Sequence, residues 1–252
     1  MEKRNEAQDS KEYWSEYEVN AIPTKESLHC SFSSQLSNLL STKEHPTLLD
    51  LGCGDGRLSK QLVDQGFKVI GVDINKEAAA VANKRLTGSD SRAFCEDCTK
   101  LRLSEKFDCC LCQLLLSIIG NVKRRRQLLR TASNHLVPGG VVLISASGAS
   151  EEINKNYAQL YRKDGKSTGE NRTYYSRDAT GKVLYMTHHF DQEELQSLLE
   201  ECDLKVKEIH VEKESSSRRP NEAAYFYYIV ATKKTQQHIE EVKVCNNKKA
   251  KI

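Results

Sequence analysis

Short apolar runs, glycine turns and stretches of helix-forming sequence alternate along most of this chain. Leu48-Leu49-Asp50-Leu51 runs directly into glycines at 52, 54 and 56. Such a run reads as a strand buried on both faces, and the glycines let the backbone turn sharply beneath a ligand. Arg57 to Gln65 continues as helix, with Gly66 placed to stop it. The pattern then repeats. Lys68 to Asp73 predicts a second strand, and Asn75 caps a helix over Lys76 to Leu86. Ala93 to Cys98 predicts a third strand with its exit, and Phe107 to Gln113 a fourth. Asn121 opens a helix to about His135 with Leu128, Leu129, Ala132 and Leu136 on one face; Val137 to Ser145 is a turn and a fifth strand.

The outer parts of the chain are less regular. Residues 1–11 are polar and read as frayed, and His29 to Leu40 as an amphipathic helix. Residues 147–190 interrupt the alternation: Tyr157 to Lys163 suggests a helical turn, and Asp178 to Gly181 joins two hairpin strands, Arg172 to Arg177 and Lys182 to His188. Asp191 to Glu194 forms a capping box for a helix ending near Cys202, and Leu204 to Val211 and Tyr225 to Ala231 are the last strands. Strands alternating with helices predict an α/β fold. It is a doubly wound, seven-stranded, mostly parallel sheet with an antiparallel edge strand and an insertion after strand five. The expected organisation is an N-terminal cap segment (1–46), one domain (47–231, insertion 147–190) and a basic disordered tail (232–252). Ligands of such sheets bind beyond the carboxyl ends of the strands. The insertion and the loop Glu212 to Asn221 lie on that side by connectivity.

Charge and cysteine content narrow the setting. The net charge is +3, but residues 232–252 alone carry +4, so the body of the chain is no general polyanion binder. Nine cysteines accompany a charged N-terminus without the pattern of a signal peptide, and the apolar run Cys109 to Gly120 is too short to span a bilayer. The expected location is cytoplasmic, with reduced thiols and no membrane association. Cys95 and Cys98 form a C-x-x-C, yet no second pair or histidine pair completes a tetrahedral set, so no metal is expected.

The charges around the glycines then select a ligand class. A dinucleotide fingerprint wants a sixth-position glycine, where this chain has Arg57, and Asp50 and Asp55 would repel a pyrophosphate. An acidic residue followed by Gly52-Cys53-Gly54-Asp55-Gly56 resembles the first motif of the class I S-adenosylmethionine (SAM)-dependent methyltransferases. The resemblance covers residues 47–146 well and 191–231 in outline. It implies SAM as cofactor, with Asp50, Gly52, Cys53 and Gly54 around its methionine end. Asp73, 21 positions after Gly52, is then placed at the ribose, with Ile74 beside it among the cofactor-binding residues. Asp97, with Glu96 as competitor, falls at the adenine and Gln113 at the methyl donor, and Cys98 is a further cofactor-binding candidate.

Acceptor-side expectations are looser. Trp14 and Tyr17 either close over the cofactor or simply pack their segment on the sheet. Tyr175 in the insertion and Arg218 and Arg219 in the late loop are substrate-side candidates, the arginines for an acidic group. His188 and His189 close a hairpin strand, so one should point inward and the other outward. The inward one, with Tyr174, is the candidate catalytic group. Methyl transfer to a small-molecule acceptor is the leading expectation. An RNA or protein methyltransferase using Lys123 to Arg126 and the lysine-rich tail is the alternative, as is a non-catalytic SAM-binding partner subunit.

Overall fold

The computed structural model describes residues 10–19, 27–216 and 221–234. In chain order the elements are α1 (Ser10–Ser15), α2 (Cys30–Thr42), β1 (Thr47–Leu51), α3 (Arg57–Asp64), β2 (Lys68–Asp73), α4 (Lys76–Arg85), β3 (Arg92–Cys95) and β4 (Phe107–Gln113). They continue with α5 (Leu115–Ile118), α6 (Val122–His135), β5 (Leu136–Gly148), α7 (Lys155–Thr168), β6 (Thr173–Arg177), β7 (Val183–His188), α8 (Gln192–Glu200), β8 (Leu204–Ser215) and β9 (Ala223–Lys233). Seven strands form one sheet in the order β3-β2-β1-β4-β5-β9-β8, and β6 and β7 pair separately.

β1 to β5 run parallel, while β9 is antiparallel to both neighbours, β5 and β8. The antiparallel strand therefore lies one place in from the edge. Its sequence suits that position: Phe226, Tyr228 and Val230 are buried on one face and Ile229 and Ala231 on the other. β8 takes the edge, where its exposed Lys205, Lys207 and Glu208 discourage further strand pairing.

Alternation along the strands feeds two separate cores. On one face Leu49, Leu51, Cys110, Cys112 and Ile144 meet Leu128, Leu129 and Ala132 of α6 and Leu195, Leu198 and Leu199 of α8. On the other, Leu48, Cys109, Leu111 and Leu143 meet Phe32 and Leu36 of α2, Leu62 of α3 and Tyr157 and Tyr161 of α7. The cysteines of β4 act here as small apolar side chains on both faces. Burial pushes all three thiols upward in pKa. No helix among the described residues is long and apolar enough to cross a membrane.

Two local expectations need revision. Ser10 and Lys11 are helical rather than frayed, because Ser10 Oγ bonds both the N–H (3.2 Å) and the carbonyl (3.5 Å) of Met186, and Lys11 pairs with Asp97. The turn expected at Tyr157 is a full helix, capped at its start by the Asn154 side chain and ended by Gly169 at φ 70°.

The chain switches direction across the sheet between β1 and β4. Such a switch point leaves a crevice at the carboxyl ends of the strands. The glycine turn after β1 opens into it.

Candidate functional site

The glycine turn is tied to the end of β2. Gly52 and Cys53 donate to the Val72 carbonyl at 2.8 and 3.1 Å, and Gly54 donates to Asp73 Oδ2 at 2.9 Å. Asp73 Oδ1 accepts from the Asn75 N–H at 2.9 Å. One carboxylate thus fixes both the turn after β1 and the start of the next connection. Gly56, at φ 77°, is the left-handed N-cap of α3. A Cβ at this position would lie 2.7 Å from Ala82 Cβ and 2.8 Å from its Cα, so only glycine lets α3 start against α4.

These elements surround a cleft of about 200 Å³. All nine residues assigned to the cofactor from sequence line it: Asp50, Gly52, Cys53, Gly54, Asp73, Ile74, Asp97, Cys98 and Gln113. Trp14 lines it as well. Tyr17 stands one step back: its carbonyl accepts from Asn75 Nδ2 at 2.7 Å, and its ring packs on Trp14 and Tyr13. Asn75 also caps α4 through Ala78, so one side chain joins the N-terminal segment to the cofactor loop.

The charges within the cleft are distinct. Burial pushes the Asp50 carboxyl up to about 6, offset in part by the Ser59 hydroxyl at 2.6 Å, with the Asp73 charge adding to the rise. Burial likewise raises Asp73 despite its backbone donors. At Asp97 burial is outweighed by the Thr99 hydroxyl and N–H and by Lys11 and Arg124, which together hold the carboxyl below its usual range. Lys11 and Arg124 sit 3.2 and 3.3 Å from Asp97 Oδ2. Asp55, also at the cleft, is shared by Arg57 and Arg85 at 3.0 and 3.2 Å. Burial, then the Asp50 and Asp73 charges, drive the Cys53 thiol well above its ordinary value, so it is no thiolate.

The hairpin histidines do not reach this cleft, and the expectation that one of them faces outward fails. They leave β7 on opposite faces, as strand alternation requires, but both faces are covered and both residues are buried. His189 enters a tyrosine cluster, with Tyr161 Oη 2.6 Å from Nδ1 and Tyr174 Oη 3.4 Å from Nε2. His188 lies between Thr173 Oγ1 at 2.7 Å and Glu194 at 2.9 Å, and burial lowers its pKa against the pull of Glu194. Tyr174 packs with Tyr157 and Tyr161, and Tyr175 donates to the Ser167 carbonyl at 3.4 Å, beneath Arg177. None of these four residues lines the cleft. Arg218 and Arg219 fall outside the described residues.

The remaining walls are Ser10 and Lys11 of α1, Arg57 and Leu58, the run Leu114 to Gly120 in part, Arg124, and Tyr185 of β7. Tyr185 is the residue of the insertion that does reach the cleft, and it packs on Trp14 and Tyr13 at ring distances of 4.9 and 5.0 Å. It pairs with Ser176 because the hairpin register shifts between Ser176 and Arg177, where the four-residue loop alone would set it opposite Tyr174.

What would fit these walls is a cation with several hydrogen-bond donors. Gln113 Oε1 is buried without a hydrogen-bond partner among the described residues, and Asp50 is a buried carboxylate whose charge form would be favoured by a nearby ammonium. A pyrophosphate would instead face Asp50 and Asp73 together. S-adenosylmethionine is such a cation, with an ammonium, ribose hydroxyls and an adenine amino group as donors.

Residues 48–140 match the family described as the methyltransferase domain. A malonyl-[acyl-carrier protein] O-methyltransferase of Bacillus cereus is 27% identical over 197 residues, covering 77% of this chain and 66% of the relative. A ubiquinone biosynthesis O-methyltransferase of Hydrogenovibrio crunogenus is 26% identical over 151 residues, covering 58% of this chain and 57% of the relative. The chain thus spans less than two thirds of the length of these relatives. A solved SAM-dependent methyltransferase of Methanosarcina mazei superposes with TM-score 0.73 at 25% identity, over 83% of this chain and 99% of that one.

Proposed function

We propose, from the premise that this chain carries a class I SAM-dependent methyltransferase domain, that it transfers a methyl group from SAM to a small-molecule acceptor by in-line displacement. The observation that carries the reading is the convergence of Asp50, the glycine turn, Asp73 and Gln113 on one cleft at the carboxyl ends of β1, β2 and β4. Bound SAM supplies an activated methyl group on a sulfonium. The protein's part is to hold the donor, exclude water and orient the acceptor. Asp73 would accept from the ribose hydroxyls, Asp50 would face the ammonium, and Leu114, Ile118, Ile119, Trp14 and Tyr185 would close the cleft around the reacting atoms. The O-methyltransferases among the relatives support a small or carrier-borne acceptor.

The basic run of α6 favours this reading over a polyanionic substrate. Arg124 pairs with Asp97, Arg125 with Glu170 and Arg126 with Glu201, so its guanidiniums are committed inside the chain. Calorimetry should show binding of SAM and S-adenosylhomocysteine (SAH) and none of nicotinamide dinucleotides. Asp73→Ala should weaken SAH binding by about 1–3 kcal/mol, the cost of unpaired hydrogen-bonding groups. Tight dinucleotide binding, or wild-type SAH affinity in the folded variant, would count against the assignment.

The cleft also bears on the acceptor's chemistry. Each aspartate lining it is already bonded: Asp50 to Ser59, Asp55 to Arg57 and Arg85, Asp73 to Gly54 and Asn75, Asp97 to Thr99, Lys11 and Arg124. No histidine or glutamate is among the described lining residues. These observations favour an acceptor whose lone pair is free at neutral pH, a carboxylate or an aromatic amine, over an alcohol or an alkyl amine, which carries a proton there. With labelled SAM and a panel of acceptors, turnover with carboxylates or aromatic amines should exceed that with alcohols of matched shape. A preference for alcohols with a bell-shaped pH profile would point to a base in this cleft.

A further inference from the structure

One ion pair links the insertion to the wall of the cleft. Arg124 and Arg125 are neighbours on the first turn of α6, and they diverge. Arg124 faces the cleft, whereas Arg125 is fully buried beneath it at 1% exposure. Arg125 Nη1 donates to the carbonyls of Ile119 at 3.2 Å and Gly120 at 3.1 Å, both residues of the cleft wall. Its Nη2 pairs with Glu170, in the loop between α7 and β6, and the Phe190 ring lies 5.7 Å from its guanidinium carbon. The other Glu170 oxygen accepts the first N–H of α6, from Val122, at 2.9 Å.

These carbonyls lie at the end of α5, where a four-residue helix leaves them without helical partners. A guanidinium held from below satisfies both and sets the height of the wall. It stays there only while a carboxylate compensates its buried charge. That carboxylate comes from the insertion, the part of the chain that departs from the alternating core. We propose that Glu170 is a positioning residue for the cofactor cleft, acting through Arg125 on the Ile119–Gly120 wall. This rests on the reading that the cleft holds SAM.

The test measures SAH affinity by calorimetry at a temperature where circular dichroism shows each variant folded. Glu170→Gln keeps an acceptor for Val122 but removes the charge that anchors Arg125, and it should bind SAH at least tenfold more weakly than wild type. The paired variant Arg125→Met with Glu170→Leu replaces the ion pair by apolar packing. It removes the unpaired buried charge left in Glu170→Gln and should recover part of the melting temperature lost there, yet keep the weak affinity, a separation that a purely structural role would not produce. Arg172→Gln breaks the pairs with Glu151 and Asp191 beside the same network without touching the wall, and it should bind SAH as wild type does. Affinity within twofold of wild type in Glu170→Gln, or in the paired variant should Glu170→Gln fail to fold, would overturn the proposal. An equal loss in Arg172→Gln would overturn it too. Absence of SAH binding by wild type would instead remove the cofactor reading itself.

Discussion

Asp50→Asn should make the ligand-free protein more stable at neutral pH while stripping it of most of its affinity for SAM. Asp50 is buried at the end of β1, and its folded-state carboxyl titrates at about 6 against an ordinary 3.8. Between those values the folded chain holds more protons than the unfolded one, so stability falls as pH rises through the window. Above pH 6 the full penalty applies, on the order of 3 kcal/mol for a difference of that size. Asparagine is neutral throughout and can still accept from Ser59. The melting temperatures of variant and wild type should therefore coincide near pH 4, diverge up to pH 6, and stay several degrees apart above it, at about 2–4 °C per kcal/mol for a domain of this size.

Binding should change in the opposite sense. In the proposed complex the ammonium of SAM compensates the Asp50 charge. Wild-type affinity should then fall by about tenfold per pH unit below 6 as protons compete for the carboxylate. The variant should bind weakly with little pH dependence. Scanning fluorimetry across pH with and without SAH reads both effects at once. A variant that is less stable than wild type at pH 8, or equally responsive to SAH, would show that Asp50 is a structural carboxylate and not part of the site.

The cofactor half of the cleft was legible in the sequence because it is built from local features. The run Leu48 to Gly56 specifies a strand, a turn and a helix start within a few residues, and Asp73 closes the neighbouring strand. The parallel register then brings Asp50 and Asp73 together, since Asp50 pairs with Gly71 and the turn bonds back to Val72. The acceptor half depends on long-range packing. Tyr185 reaches the cleft because β7 is pinned to α1 through Ser10 and Met186, a contact between residues 176 positions apart. Nothing in the local pattern distinguished Tyr185 from Tyr174, which shares its hairpin face but is held by His189 in the tyrosine cluster. The histidines misled for the same reason. Alternation gave their opposite directions correctly, whereas α8 and α7 supply the partners that bury them, Glu194 for one and Tyr161 for the other. The α6 arginines looked like a basic patch because a charge run does not disclose its partners; Asp97, Glu170 and Glu201 lie 27, 45 and 75 positions away.

Gly56→Ala should be strongly damaging for a single added methyl, felt in stability and in binding together. Gly56 holds φ 77°, where an L side chain costs about 1–2 kcal/mol. The added Cβ would also lie 2.7 Å from Ala82 Cβ and 2.8 Å from Ala82 Cα, backbone of a fully buried residue on the inner face of α4 that cannot rotate aside. Forcing a methyl into a filled interface adds about 1–3 kcal/mol more. Relief requires α3 to move away from α4. That motion would draw Asp55 from its pair with Arg85 of α4 and displace the turn from the cleft. Gly88→Ala is the matched control, because Gly88 has φ 89° with no atom within 4 Å of its would-be Cβ. It carries the backbone strain without the collision. Urea unfolding should therefore show a clearly larger loss for Gly56→Ala than for Gly88→Ala, and only the former should weaken SAH binding. Adding Ala82→Gly to Gly56→Ala removes one of the two close contacts and should restore part of the stability. Equal losses in the two glycine variants would mean that α3 and α4 yield freely at this point, and that the close approach of α4 does not set the glycine turn.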